Sequence, residues 1–260
     1  MNVDNEKAIR AIVSGYVESY ASGFSDKTTT KDVQYLCNDF LVTFDKKLCY
    51  HACLLYLWHK TFQDMLGKIA MKIATLHYKV SQHVEGVLYK NQTDYIAEIL
   101  EDYKNHARSP QISDYLGISK KKGEGIHKRH ESEYYLLDED SGMHYLIELK
   151  IGGDLDNKEA RSEKEALLEQ YCILTNQLGS EDHVKILFAT AYNRYGEGRP
   201  WTQGRVLQFF SNEELCISRN FWNLVCKSER GFDIVMDEYK KNAHYINEAL
   251  NKINGVYLPD

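Results

Sequence analysis

The residues best suited to chemistry lie in one short run, Tyr145-Leu146-Ile147-Glu148-Leu149-Lys150. Glu148 and Lys150 stand two positions apart, so in an extended chain they project from the same face. The run is otherwise apolar. A carboxylate in such a strand costs on the order of several kcal/mol unless it is paired or bound to a metal. A divalent cation would compensate it. Two carboxylates and an amine around such a cation suit phosphodiester hydrolysis. Carboxylate oxygens are hard ligands for Mg2+, the cation neutralises charge on the phosphate and acidifies a bound water, and the lysine orients the nucleophile and stabilises developing charge.

Positioning such a group needs neighbouring strands. Glu131–Glu139 and Met143–Ile151 are aromatic and aliphatic runs flanking Asp140-Ser141-Gly142, the pattern of a β-hairpin. A two-residue turn at Ser141-Gly142 sets Lys150 opposite Glu133 and Glu148 opposite Tyr135. Cross-strand neighbours share a face, so Glu133, Glu148 and Lys150 are the expected catalytic cluster, with Glu133 and Glu148 as metal ligands. Glu131 has the same strand parity as Glu133, and Glu124 is a looser alternative. A bare Glu-x-Lys also reads as a surface ion pair.

Beyond the hairpin, Gly152-Gly153 ends the strand, and Asp154–Asn157 offers capping side chains for a helix over Lys158–Leu178. His183–Ala191 has the character of a buried strand, and Val206–Phe210 of a further one. Glu213–Cys226 and Phe232–Ile253 read as helices. A strand–helix–strand unit after the hairpin makes part of the sheet parallel. Upstream, helical periodicity covers Glu6–Tyr20, Lys31–Asp45, Lys47–Lys90 and Asp94–Tyr103. The reading is an α/β protein, a mixed central sheet flanked by helices, with a mostly helical N-terminal part. The expected division is a helical region over 1–108, for dimerisation or DNA contact, and a catalytic core with C-terminal helices over 109–260.

Composition narrows the partners. The 260 residues are 43% hydrophobic and 27% charged, which is a packed globular chain. The net charge of −6 excludes a bulk-cationic nucleic-acid binder but leaves room for a local basic groove. One stretch is cationic: residues 101–130 hold seven Lys or Arg against four acids, including Lys120, Lys121, Lys122, Lys128 and Arg129. These are candidates for backbone phosphates. A second group, Arg194, Arg199, Gln203 and Arg205, lies in the Gly-rich loop Tyr192–Arg205, where an Arg bidentate to guanine would read sequence. Six cysteines contain no CxxC pair, which reads as buried thiols in a reducing cytosol. Neither a secretory leader nor a membrane-spanning run is expected, and the expected location is the cytoplasm.

The hairpin ending in Ile147-Glu148-Leu149-Lys150, its Gly-Gly turn and the long helix after it resemble the PD-(D/E)xK nuclease superfamily. More narrowly, Gly152–Tyr171, Ala189–Gly198 and Glu213–Asn223 are similar to type II restriction endonucleases of the TdeIII/MjaII kind. The resemblance spans about residues 115 to 250. It implies a restriction-endonuclease-like core, with Glu148 as acidic metal ligand and Lys150 as catalytic lysine. The superfamily's Pro-Asp ahead of the hairpin is missing, and Glu133 stands where Asp is usual. The resemblance also implies Mg2+-dependent cleavage of both strands of double-stranded DNA at a short palindrome, GGNCC-like in the narrower case. The enzyme would be a homodimer, with a cognate DNA methyltransferase protecting the host. A structure-directed nuclease of the same superfamily, or a non-catalytic DNA- or protein-binding module, are the competing readings.

Overall fold

The segment after Ala74 leaves the helical habit and becomes a strand. In this computed structural model, which describes residues 3–27, 43, 46–153 and 155–257, the first elements are α1 (Val3–Lys27) and α2 (Lys46–Ala74), followed by β1 (Lys79–Tyr89). The expected helix through Lys90 is therefore corrected at its C-terminal end. Val84, Gly86 and Leu88 are buried at every second position, a strand period, and Gly86 is a poor helix former. The helix expected over Lys31–Asp45, with Cys37, lies outside the described residues apart from Thr43, and Asp154 lies outside them too.

The remaining elements are α3 (Lys90–Lys104), β2 (Gly125–Asp138), β3 (Met143–Leu149), α4 (Asn157–Leu178), β4 (Val184–Thr190), a single turn α5 (Gly204–Leu207), β5 (Leu215–Ile217), α6 (Arg219–Val225) and α7 (Gly231–Tyr257). Val206–Phe210, expected as a strand, begins instead within α5. The helix expected from Glu213 is preceded by the short strand β5. The chain divides into two units, Met1–Ile73 with Cys226–Asp260, and Ala74–Val225. That division differs from a boundary at 108, because β1 and α3 belong with the sheet whereas α7 pairs with α1.

The five-stranded sheet has the order β1-β2-β3-β4-β5. The first two pairings are antiparallel and the last two parallel, so the sheet is mixed and flanked by helices. Asp138 pairs with Met143, leaving a four-residue turn closed by the Gly142 N–H on the Asp138 carbonyl at 2.8 Å. The expected two-residue turn is thus too short, and the hairpin register moves by two residues. Side-chain direction has a period of two, so the move preserves which residues share a face. β2 also bulges: between Ser81 and His83, two steps along β1 match the four from Tyr135 to Glu131. A bulge bends its strand and re-aims side chains.

α4 covers one face of this sheet. Asp156 caps it through a reciprocal box with Glu159, at 2.8 and 2.9 Å, and Gly179 ends it at φ +71°. Leu167, Leu168 and Tyr171 of α4 bury against Leu146, Ile186 and Phe188 of the sheet. At its far end α4 approaches β1 closely. A Cβ on Gly86 would lie 2.6 Å from Gln177 Nε2, and that same nitrogen donates to the Glu85 carbonyl at 2.7 Å. Among the described cysteines, Cys53, Cys172, Cys216 and Cys226 are free and buried, while Cys49 is disulfide-bonded, which corrects the expectation of thiols throughout. Among the described residues, no helix is long and apolar enough to cross a membrane.

Candidate active site

Glu148 is next to last in β3, and Lys150 follows the strand's last residue. Leu146 on the same face of β3 packs into the core beneath α4, so alternation aims Glu148 toward that helix. Glu148 is buried, and its Oε1 lies 2.7 Å from Lys150 Nζ. The same ammonium lies 3.2 Å from Glu163 Oε1 on α4. One lysine therefore bridges a strand carboxylate and a helix carboxylate. This pairing compensates the buried charge of Glu148.

A cavity of about 100 Å3 opens beside this pair, lined by Glu131, Ser132, Ile147, Glu148, Glu163, Ala166, Leu167 and Gln170. The four α4 residues fall at i, i+3, i+4 and i+7, a single helix stripe. Two polar residues on a stripe otherwise made of Ala166 and the buried Leu167 were the signal that could have revealed Glu163 and Gln170 from sequence. The bulge in β2 brings Glu131 and Ser132 to the cavity's other side.

Glu133 falls inside that bulge. The β2–β3 ladder is paired from Asp138 to Tyr134, opposite Ile147, and continuing it one step sets the Glu133 backbone level with Glu148. The Glu133 side chain lies outside what the structure describes. Its expected facing partner, Lys150, instead donates its backbone N–H to the Ala189 carbonyl of β4 at 3.0 Å. Glu124 ends the loop before β2, its carbonyl accepting from the Lys90 N–H at 2.9 Å.

The cavity lining offers carboxylate, hydroxyl and carboxamide oxygens and no thiol or imidazole, which suits a hard divalent cation. Among the described residues no three His, Cys, Asp or Glu side chains converge tightly enough to hold a metal alone. Glu148 and Glu163 are the two carboxylates that share the Lys150 ammonium, and their donor chemistry fits the cation.

The expected phosphate-binding residues separate into two groups. Lys121 lies over the Tyr95 ring at 4.1 Å, and Lys122 lies over Tyr89 at 4.5 Å while donating to Asn176 Oδ1 at 2.8 Å. Lys120 is exposed beside them. This loop precedes Gly125, and the six residues of β2 from there to Glu131 span ~20 Å, so the loop is remote from the cavity. His127 to His130, part of the cationic stretch, lie in β2. Lys128 and His130 both meet the buried carboxylate of Glu169 on α4, at 2.5 and 2.7 Å. Burial pushes that carboxyl up, but the hydrogen bonds from His130 and Lys128 outweigh it and hold the pKa below the ordinary value. Lys128 is thereby committed to the protein's own helix, and Arg129 pairs with Glu131 at 3.3 Å.

The second group sits nearer. β3 and β4 are parallel, so the loop leaving β4 starts at the same sheet edge as Lys150, tied there by the Ala191 N–H on the Ile151 carbonyl at 3.1 Å. Arg194 and Arg199 are exposed on that loop. Glu197 anchors it, accepting from Ser218 Oγ at 2.5 Å and pairing with Arg219 at 3.5 Å. Gln203 stands just before α5 without a side-chain capping bond, and Arg205 reaches the Leu155 carbonyl at 3.5 Å. Trp201 turns inward against Gly153, where φ is +68° and a Cβ would lie 2.1 Å from the indole.

Residues 59–243 match the family model described as type II restriction endonuclease, HinfI. No curated relative and no solved structure matches the chain.

Proposed function

We propose, for a chain that belongs to the HinfI family of type II restriction endonucleases, that Glu148, Glu163 and Lys150 form the hydrolytic centre of a site-specific endodeoxyribonuclease. The observation that carries this reading is one ammonium shared by a strand carboxylate and a helix carboxylate beside an oxygen-lined cavity. Restriction endonucleases generally use a divalent cation, typically Mg2+, which when bound neutralises phosphate charge and acidifies water. Glu148 and Glu163 would hold it, with a third carboxylate from Glu133 or, on the cavity wall, Glu131.

The protein's side chains account for the rest. Lys150, held from two sides by Glu148 and Glu163, donates its third N–H to the attacking water, and so fixes its angle of approach. Its positive charge offsets the negative charge that grows as the water oxygen bonds to phosphorus. As the water oxygen bonds to phosphorus it gives up a proton to solvent, the bond from phosphorus to the leaving sugar oxygen breaks, and that oxygen takes a proton from a solvent water. Glu148, buried on the α4 side of β3, orients the Lys150 ammonium.

Arg194 and Arg199, on the loop at the same sheet edge, are the proposed base-reading residues, and Gln203 and Arg205 flank them. Lys120, Lys121 and Lys122 would touch backbone farther along the duplex, giving affinity without sequence information. Cutting both strands of a palindrome follows from a homodimer with one centre per strand. In the cytoplasm such an enzyme works beside a methyltransferase that protects the host's own sites. The narrower likeness to the TdeIII/MjaII kind, and its GGNCC-like target, rest on sequence resemblance.

Digestion of a plasmid of known sequence with Mg2+, followed by mapping of fragment ends, tests the proposal. Discrete fragments sharing one end sequence support it. Smears or a preference for branched substrates would favour a structure-directed nuclease, and DNA binding without cleavage a non-catalytic module.

A further inference from the structure

Two polar side chains in the cavity have no task in the hydrolytic scheme. Gln170 is 3% exposed and Ser132 is 7% exposed, and both line the cavity with Glu131, Glu148 and Glu163. Among the described residues, neither Gln170 Oε1 nor Ser132 Oγ has a hydrogen-bond partner. A buried polar atom in that condition is destabilising, and native folds keep few of them without a ligand or water to satisfy them. Here both belong to the same cavity, whose volume of about 100 Å3 is several times what one water needs.

The described carboxylates do not by themselves make a metal cage. Mg2+ requires six oxygens in near-ideal octahedral geometry and usually keeps several of its waters. Those waters must donate their protons to something. A neutral carboxamide oxygen and a hydroxyl are suitable acceptors in a cavity already carrying the negative charge of Glu148 and Glu163. The β2 bulge presents Ser132, and the α4 stripe presents Gln170 seven residues beyond Glu163.

We propose that Gln170 and Ser132 complete the divalent-cation site, with Gln170 Oε1 and Ser132 Oγ accepting hydrogen bonds from the water shell of a cation held by Glu148 and Glu163. This rests on the nuclease reading above and extends it to two positioning residues outside the carboxylate–lysine cluster.

Mn2+ binding to the full-length protein without DNA, followed by electron paramagnetic resonance, reads the site independently of cleavage. Wild type is expected to bind, and Glu148→Ala to lose the ion. Gln170→Leu should weaken binding about tenfold or more, and Ser132→Ala should weaken it less. Gln170→Glu, which keeps the oxygen, should restore or tighten binding. The metal-free melting temperature of Gln170→Leu should equal or exceed that of wild type, because an unsatisfied polar atom has been removed, while the rise in melting temperature on adding Mn2+ disappears. If Gln170→Leu binds Mn2+ like wild type while Glu148→Ala does not, the proposal is overturned and the nuclease reading stands. If wild type itself binds no Mn2+, both fall. A metal-free Gln170→Leu protein that melts well below wild type would make Gln170 a structural residue and also overturn the proposal.

Discussion

Lys164→Met should be among the most destabilising single changes in the sheet unit. Lys164 immediately follows Glu163 on α4 but points into the core. It pairs there with Glu214, each side chain being 1% exposed. Glu214 also accepts from Tyr115 Oη at 2.9 Å and from the Ser211 N–H at 2.8 Å, and the ammonium lies 5.0 Å from the Tyr115 and Phe210 rings. Burial pushes the Lys164 ammonium pKa down, and Glu214 only partly offsets this. Removing the lysine leaves a buried carboxylate whose charge no cation balances. Breaking such a pair from one side costs ~3–5 kcal/mol. In a unit of this size each kcal/mol moves the melting temperature by ~2–4 °C, so the drop should be about 6–20 °C. Replacing both partners, Lys164→Met with Glu214→Gln, removes the orphaned charge, keeps a carbonyl acceptor for the Ser211 N–H, and turns an amide N–H toward the Tyr115 hydroxyl, which can accept it. That double variant should recover most of the loss, about 2–3 kcal/mol or more. Thermal melts monitored by circular dichroism, supported by urea titrations, measure all three proteins. A Lys164→Met protein that melts within about 2 °C of wild type, or a double variant less stable than the single, would refute the reasoning.

Three further outcomes are expected. Lys150→Ala should lower the cleavage rate constant by about 10^2–10^3-fold or more while leaving DNA affinity nearly unchanged, as read by single-turnover cleavage beside a binding isotherm; normal cleavage would remove the lysine from the mechanism. Gly153→Ala forces a left-handed conformation on alanine and drives its Cβ into Trp201, so denaturant melts should show a loss of at least ~1–3 kcal/mol, displacing the loop that carries Arg194 and Arg199. Glu181 accepts from the Gly117 and Ser119 N–H groups at 2.6 and 2.9 Å. Burial raises its pKa, but those bonds and the Ser119 side chain prevail and hold it below the ordinary 4.5. A folded-state pKa below the unfolded one means stability that is present above about pH 4.5 and lost as pH falls through the lowered value. Urea midpoints from pH 7 to 3 should therefore fall more steeply for wild type than for Glu181→Gln, and parallel curves would count against the assignment.

The amino-acid sequence by itself determined the local parts of this protein. Glu148 and Lys150 announce themselves as charges two apart in an apolar strand, the hairpin follows from two aliphatic runs around a Ser-Gly turn, and Asp156 marks the start of α4 because capping chemistry is confined to a few residues. Each of these depends on neighbours within one or two turns of chain. Tertiary structure decided the rest. Nothing local distinguishes a two-residue turn from the four-residue one that sets Glu133 level with Glu148. The face survived that difference only because the register moved by an even number. β1 went unread because its alternation is short and follows a long helix. Glu163 and Gln170 share a helix stripe visible in the sequence, but only α4 lying across the sheet brought them beside Lys150 and Ser132. Lys128, an apparent phosphate ligand in the chain, is claimed by Glu169 forty-one residues away. Periodicity is a property of adjacent residues, whereas a site is assembled by packing between segments distant in sequence, and the free energy that selects it comes from burial that no single segment possesses alone.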